Sequence, residues 1–222
     1  MKRCVVPAEF GFYGILTDPV QGYVRCTEAM VAREVPFVQL RMKDAPAAVV
    51  LETAREMRRI TQGSGTRLVI NDFAGVARDC DADGVHVGQC DLAYQEVRRI
   101  VGPDCCVGLS THSAVQLERA CTQEPDYVGI GPVFATPTKK IPDPPLGITG
   151  MRSLLRLATV PAVVLGSITL ENLPQLYRAG ARNVALVRPV NNSDNPGREI
   201  DRILDALERC REGEHPSVRK RT

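Results

Sequence analysis

The chain alternates eight times between a short segment rich in β-branched residues and a longer amphipathic segment, and this alternation constrains its fold more than any other feature. We predict strands at residues 13–17, 36–41, 67–71, 84–87, 105–109, 127–130, 162–165 and 183–187. We predict helices after them at 22–34, 45–61, 73–80, 92–101, 113–121, 150–158, 170–179 and 195–211. Strands that alternate with helices form parallel sheets. Eight such units in 222 residues predict an α/β protein, a single-domain (β/α)8 TIM barrel.

Local signals support these boundaries. Ser113 and Thr169 precede two of the helices as N-cap residues, and Gly180 follows another as a C-terminal glycine. No Gly-x-Gly-x-x-Gly motif follows the first strand, which disfavours a dinucleotide-binding fold. We expect residues 1–211 to form one barrel domain and the polar residues 212–222 to form a disordered tail.

The charge and hydropathy of the chain exclude several classes of function. A formal net charge of +2 gives no electrostatic case for binding nucleic acid or a membrane surface. No apolar run approaches the roughly 20 residues of a spanning helix, and the N-terminus lacks a signal-peptide core. The eight cysteines form no Cys-x-x-Cys pair, and we interpret them as buried thiols of a cytoplasmic protein.

Polar side chains recur where the predicted strands end, which is the edge at which barrel enzymes place their chemistry. Arg41 and Lys43 follow the second strand and Lys139 follows the sixth, so two loops supply three cations. Cations of this kind suit a pyrophosphate, whose charge is otherwise costly to desolvate. Asp72 and Asp91 follow the third and fourth strands and offer the carboxylate oxygens that suit Mg2+. The pattern predicts a site for a phosphorylated small molecule and Mg2+.

Each of these residues also has a simpler structural interpretation when it is taken alone. Asn71 and Asp72 suit a turn or a helix cap, and His86 suits a hydrogen-bonded structural histidine. The proline-rich segment FATPTKKIPDPPLG at 134–147 is longer than a simple connection, and we interpret it as a lid over the strand ends. The repetition of polar residues at successive strand ends favours the functional interpretation.

Six segments together resemble the thiamine phosphate synthase family, within the thiamine phosphate synthase and TenI superfamily. They are Thr17-Asp18, VQLRMK at 38–43, Asn71-Asp72, ADGVHVGQCD at 82–91, GLSTHS at 108–113 and DYVGIGPVFATPTKK at 126–140. The resemblance implies a Mg2+-dependent enzyme that joins 4-amino-2-methyl-5-pyrimidinylmethyl diphosphate to 4-methyl-5-(2-phosphooxyethyl)thiazole. It also implies a dissociative reaction, in which pyrophosphate leaves and a carbocation forms.

The resemblance further implies a role for each polar residue. Those expected to bind the pyrimidine diphosphate are Gln39, Arg41, Lys43, Asn71, Ser110 and Lys139. Among them Arg41, Lys43, Ser110 and Lys139 are the expected catalytic residues. Asp72 and Asp91 match the carboxylates that hold Mg2+. Those expected to bind the thiazole phosphate are Thr136, Thr138, Ser167, Val187 and Arg188.

Two of the residues that depart from the family pattern lie at the thiazole-phosphate end. Ser167 stands where the family has a glycine, and Arg188 stands where it has a serine. A serine is expected to crowd a backbone approach that glycine permits. Arg188 then either replaces the lost contact by an ion pair with the phosphate or obstructs the site. The departures leave open a non-catalytic, ligand-binding homologue as an alternative.

A second alternative is a TenI-like thiazole tautomerase with His112 as its acid–base group. That reaction needs no pyrophosphate, so the retained cations and carboxylates favour the synthase. The expected partners are phosphorylated small molecules, with neither nucleic acid nor membrane. The oligomeric state stays open, with a homodimer as one candidate.

Overall fold

A computed structural model describes residues 5–135 and 144–213. Within these residues the strands are β1 (Phe12–Leu16), β2 (Phe37–Leu40), β3 (Arg67–Asn71), β4 (Gly84–Val87), β5 (Cys106–Thr111), β6 (Tyr127–Ile130), β7 (Ala162–Val164) and β8 (Val184–Leu186). Each strand pairs in parallel with the next, and β8 returns to pair with β1. The predicted (β/α)8 barrel is confirmed.

The helices surround the barrel and bury their apolar faces against it. In the described ranges they are α1 (Tyr23–Val31), α2 (Ala47–Thr61), α3 (Ala74–Asp79), α4 (Tyr94–Val101), α5 (Ala114–Cys121), α6 (Gly147–Leu157), α7 (Leu173–Arg178), α8 (Arg188–Asn191) and α9 (Pro196–Arg211). Helix α8 has no counterpart among the predicted helices, because four residues are too few to produce a helical hydrophobic pattern.

The predicted helix-end residues Ser113 and Gly180 are confirmed, whereas the predicted starts of α6 and α7 are wrong. The Ser113 side chain caps α5 by accepting from the backbone N of Gln116, and Gly180 follows α7 at φ 107. Helix α6 begins at Gly147, three residues before its predicted start at 150. Helix α7 begins at Leu173 rather than at 170, since Thr169 and Asn172 bond each other in a turn that precedes it.

The strand side chains alternate between two apolar layers, as the twofold period of a strand requires. One layer lies between the sheet and the helices and includes Leu16, Leu40 and Val128. The other fills the inside of the barrel and is rich in aromatic residues, with Tyr13, Phe37 and Tyr127 among its members. The inner layer therefore lies directly below the strand ends, and its polar atoms face the barrel axis.

At the N-terminal end of the barrel, a buried carboxylate joins a strand to a helix. Asp126 precedes β6, accepts from the backbone N of Val107 at 2.8 Å and pairs with Arg98 of α4 at 2.6 Å. Asp83 makes the equivalent contacts before β4. Because each carboxylate joins a strand to a helix, these residues stabilise the scaffold at the end opposite the polar strand ends.

The cysteines differ in part from their interpretation as buried thiols. Cys106 is disulfide-bonded, so the thiol interpretation is wrong there. Cys90 is exposed, and the other free cysteines range from buried to half-buried, at Cys26, Cys80, Cys105, Cys121 and Cys210. Burial raises the pKa of the Cys105 thiol to about 12, which keeps it protonated and unreactive. In the part of the chain that is described, no helix has the length and apolarity needed to cross a membrane.

Candidate functional site

Charged residues meet where β2 and β3 end. Lys43 Nζ lies 3.6 Å from Asp72 Oδ2, and Lys43 is the more exposed of the two side chains. The Asp72 backbone N donates to His86 O at 2.8 Å, which continues the β3–β4 ladder beyond the strand. Asp72 then turns at φ 64, a left-handed conformation that aspartate tolerates better than most residues. This turn lifts its carboxylate onto the rim of the barrel.

Asp72 and Asp91 form a carboxylate pair. Burial raises the pKa of Asp72 to about 6, and the hydrogen bond and negative charge of Asp91 add to that rise, while Lys43 and Arg41 oppose it. Asp91 is held in turn by the backbone N of Gly88, which donates to its Oδ2 at 2.7 Å. Two carboxylates so placed repel each other when both are ionised, so the pair favours either a shared proton or a cation.

The carboxylate pair suits Mg2+ better than it suits a metal ion whose ligands all come from protein side chains. Among the residues that are described, no group of three or more His, Cys, Asp or Glu side chains could enclose an ion. Mg2+ is usually bound through one or two carboxylates, with water and substrate phosphate as its other ligands. The donor set therefore fits an ion that arrives with a phosphorylated substrate.

A chain of hydrogen bonds crosses the inside of the barrel directly below this rim. Gln39 Nε2 donates to Tyr13 Oη at 3.0 Å, and the hydroxyls of Tyr13 and Tyr127 lie 2.9 Å apart. Tyr127 Oη lies 3.1 Å from His86 Nδ1, and His86 Nε2 lies 2.8 Å from Ser110 Oγ. The chain connects two of the residues that the sequence assigns to the pyrimidine diphosphate, Gln39 and Ser110.

Two glycines make room for this chain. A Cβ added at Gly108 would lie 2.6 Å from His86 Nδ1, and one at Gly129 would lie 3.3 Å from His86 Cε1. Sequence reasoning missed Tyr13 and Tyr127, although it interpreted His86 correctly as hydrogen-bonded. The glycines at inward positions of neighbouring strands were a signal, since a glycine in a strand often marks the close approach of another group.

Two residues with left-handed backbone follow β7, which ends at Val164 rather than at the predicted residue 165. Gly166 has φ 111, and a Cβ there would lie 2.6 Å from Pro132 Cα. Ser167 has φ 49, and its Oγ donates to Ala135 O at 2.7 Å. A glycine would adopt this conformation at lower cost, which gives a physical reason for the family pattern. The serine instead ties the loop after β7 to the loop after β6.

Arg188 lies in helix α8, and its predicted position at the end of β8 is wrong. Strand β8 ends at Leu186, Val187 is the N-cap, and Arg188 is the first helical residue rather than the end of the strand. The side chain of Arg188 is exposed, and no ion pair joins it to another described residue. Barrels often bind phosphate between the loops after their last two strands and a short extra helix. Ser167, Val187 and Arg188 lie at these positions.

The buried amide of Asn191 holds α8 against the first strand. Asn191 Nδ2 donates to Ile15 O at 2.7 Å and to Val187 O at 2.6 Å, and its Oδ1 accepts from the backbone N of Thr17 at 2.7 Å. Since this amide uses both its donors and its acceptor, it fixes the loop after β1 relative to the turn at Val187.

The predicted site residues therefore fall into groups. Lys43, Asp72 and Asp91 lie together, and Gln39 and Ser110 are joined through the barrel. Arg41 follows β2 and Asn71 ends β3 beside His86 in register.

Thr136, Thr138 and Lys139 lie outside the described residues, as does most of the predicted lid. His112 follows β5, where its Nδ1 bonds the carbonyl oxygen of Gly131 and its backbone N bonds Gln116.

Comparisons with known proteins match most of the chain. The sequence model of a family described as "Thiamine monophosphate synthase" matches residues 13–190. A thiamine-phosphate synthase of Gloeobacter violaceus is 36% identical over 195 residues, which are 88% of this chain and 57% of that protein. One of Caldicellulosiruptor saccharolyticus is 32% identical over 201 residues, which are 89% of this chain and 91% of that protein. The chain thus spans little more than half of the first relative and nearly all of the second.

The solved structures extend the likeness to the fold. A thiamine phosphate pyrophosphorylase from Pyrococcus furiosus superposes with a TM-score of 0.82 at 23% identity, over 90% of this chain and 96% of that one. A 3-hexulose-6-phosphate synthase superposes with a TM-score of 0.66 at 13% identity, over 87% of this chain and 99% of that one. At these identities the likeness concerns the barrel and not its chemistry.

Proposed function

We propose, since this chain belongs to the thiamine monophosphate synthase family, that it joins 4-amino-2-methyl-5-pyrimidinylmethyl diphosphate to 4-methyl-5-(2-phosphooxyethyl)thiazole and releases pyrophosphate. The observation that carries the proposal is the meeting of Lys43, Asp72 and Asp91 at one rim of the barrel. A cation and two carboxylates at the strand ends form a site for a diphosphate with its metal ion.

Asp72 and Asp91 would hold Mg2+, because their mutual repulsion is relieved by a cation and their hard oxygens suit it. When bound, the ion would supply positive charge to the departing diphosphate. Asp91 is oriented for this by the backbone of Gly88, and Asp72 by its left-handed turn.

The reaction breaks the carbon–oxygen bond between the pyrimidine methylene and the diphosphate, and a carbon–nitrogen bond to the thiazole replaces it. Arg41, Lys43 and Lys139 are proposed to stabilise the negative charge that develops on the leaving diphosphate. Lys43 is held near that position by Asp72. Gln39, Asn71 and Ser110 are proposed to orient the pyrimidine, since holding both reactants in place removes much of the entropic barrier.

The thiazole phosphate is proposed to lie against the loops after β7 and β8. Ser167 and Val187 would contribute backbone there, and Arg188 would contribute its side chain. Thr136 and Thr138 are proposed to complete this subsite from the loop after β6. The exposed guanidinium of Arg188 makes no ion pair within the described residues, which leaves it able to bind a phosphate in a bidentate manner.

Product formation tests the proposal directly. The purified protein, incubated with both substrates, should form thiamine phosphate by mass spectrometry and release one pyrophosphate per product, and both should stop when the metal is chelated. Conversion of the thiazole alone between tautomers would instead indicate the TenI-like reaction. Retention of both substrates unchanged, with binding detected by calorimetry, would indicate a non-catalytic homologue.

The organisation of the chain around this activity is also a proposal. We assign residues 1–211 to the catalytic domain, because α9 packs on the barrel and ends at Arg211. We propose the cytoplasm as its location and phosphorylated small molecules as its partners. A homodimer is the oligomer to test first, by light scattering.

A further inference from the structure

The hydrogen-bonded chain inside the barrel contains three residues to which the resemblance gives no role. His86, Tyr13 and Tyr127 are at most 8% exposed, so solvent does not compete for their polar atoms. They connect Gln39 at one end with Ser110 at the other, and both ends reach the proposed pyrimidine site. A connection of this kind determines which atoms the two end residues can offer to a ligand.

The direction of the chain follows from its chemistry. Gln39 Nε2 can only donate, so Tyr13 Oη accepts and must direct its own hydrogen to Tyr127 Oη. Tyr127 therefore donates to His86 Nδ1, and His86, in its Nε2-protonated tautomer, donates to Ser110 Oγ. If the chain ran the other way, Tyr127 would donate to Tyr13, and the hydrogen of Tyr13 would then have no acceptor. A buried donor without an acceptor is strongly disfavoured.

The two phenols stay protonated over the working range of pH. Burial raises the pKa of both Tyr13 and Tyr127 well above the ordinary value, so neither loses its hydrogen near neutrality. The rings are also fixed by packing, since Tyr13 stacks on Phe37 at 5.5 Å between ring centroids. Neither hydroxyl can therefore turn to another partner without disturbing the inner apolar layer.

We propose that His86, Tyr127 and Tyr13 are positioning residues that hold the Ser110 hydroxyl as a hydrogen-bond donor, and the Gln39 carbonyl as an acceptor, toward the pyrimidine substrate. Ser110 Oγ already accepts from His86, and within the described ranges its hydrogen has no protein acceptor. An aminopyrimidine carries both an amino donor and ring-nitrogen acceptors, so it complements one group of each type. This inference rests on the proposed synthase function.

A double-mutant cycle between Tyr127→Phe and Ser110→Ala tests the inference. Tyr127→Phe keeps the ring and removes the bond to His86, so kcat/KM for the pyrimidine diphosphate should fall about tenfold, the equivalent of one hydrogen bond. In the Ser110→Ala background the same substitution should change kcat/KM by less than about twofold, because the group through which it acts is gone. The KM for the thiazole phosphate should stay within about twofold throughout.

Tyr177→Phe is the matched control, since Tyr177 is half-buried on α7 and its hydroxyl bonds no other described residue. It should leave all kinetic constants unchanged. If Tyr127→Phe does not fold, Tyr13→Phe interrupts the chain one bond earlier and enters the same cycle. Equal losses in both backgrounds, or no loss in either, would overturn the inference while leaving the synthase function intact. Absence of product from the unmutated protein would refute both.

Discussion

The hydroxyl of Ser167 donates a 2.7 Å hydrogen bond to the carbonyl oxygen of Ala135 and so joins the loops that follow β7 and β6. Sequence reasoning placed this serine among the residues that bind the thiazole phosphate and expected it to crowd a backbone approach that glycine permits. Its backbone does carry strain, with φ 49, but the hydrogen bond offsets part of that cost. Ser167 is therefore both a residue in a conformation that glycine prefers and an anchor for the neighbouring loop.

Ser167→Gly should have little effect on stability and a larger one on substrate binding. Release of left-handed strain and loss of one hydrogen bond are each worth about 1 kcal/mol, so the free energy of unfolding should change by less than about 1 kcal/mol. The KM for the thiazole phosphate should fall severalfold, because the backbone becomes accessible. Ser167→Ala is the control: it loses the hydrogen bond and keeps the strain, so it should lower stability by about 1 kcal/mol in urea titrations.

Arg188→Ala should weaken thiazole phosphate binding and spare the other substrate. Loss of a guanidinium–phosphate pair should raise the KM for the thiazole phosphate by about tenfold and leave that for the pyrimidine diphosphate within about twofold. Arg152→Ala, which removes an exposed arginine from α6, should change neither. The double change Ser167→Gly with Arg188→Ser should restore most of the binding. A lower KM in Arg188→Ala would identify Arg188 as an obstruction.

Asp72→Asn should stabilise the metal-free protein at high pH while abolishing turnover. The folded pKa of Asp72, about 6, lies above its ordinary value of 3.8, so its contribution to stability is present below about pH 4 and is lost as the pH rises through 6. Asparagine stays neutral and suits the φ of 64. With chelator present, the free energy of unfolding should rise by about 2 kcal/mol at pH 8 and by much less at pH 4.

Product assays on Asp72→Asn should show turnover reduced by orders of magnitude, since the variant lacks one of two proposed metal carboxylates. Asp104→Asn, at an exposed position, is the control and should alter neither quantity. An Asp72→Asn variant with full metal-dependent turnover would contradict the assignment of this residue to Mg2+. Equal stabilisation at both pH values would instead assign the gain to backbone conformation alone.

Asp126→Ala should be among the most destabilising single changes at the N-terminal end of the barrel. Its carboxylate is 3% exposed, and its removal leaves Arg98 without its carboxylate partner and the Val107 N–H without its side-chain acceptor. Loss of one member of a buried pair costs about 3–5 kcal/mol. Asp79→Ala removes the partner of an exposed pair with Arg78 and should cost less than about 0.5 kcal/mol by thermal or urea unfolding.

The accuracy of the sequence predictions followed the strength of the local signal. Strands β3, β4 and β6 have the predicted residues, because each is an apolar run bounded by polar or glycine residues. The start of α7 was predicted too early, because the hydrogen-bonded turn between Thr169 and Asn172 resembles the beginning of a helix. Such turns form from contacts that residue types alone do not distinguish from a cap.

The order and period of the apolar segments determined the barrel, because eight amphipathic strand–helix pairs can bury their apolar faces together by closing a parallel sheet. The same order placed Lys43, Asp72 and Asp91 at one edge, since the ends of parallel strands coincide. Only the tertiary structure decided the bonds between residues far apart in the chain, such as Tyr13 with Tyr127 and Ser167 with Ala135. Those bonds depend on side-chain direction and on a few ångströms of backbone position, and both are set by packing across the closed barrel rather than by any local segment.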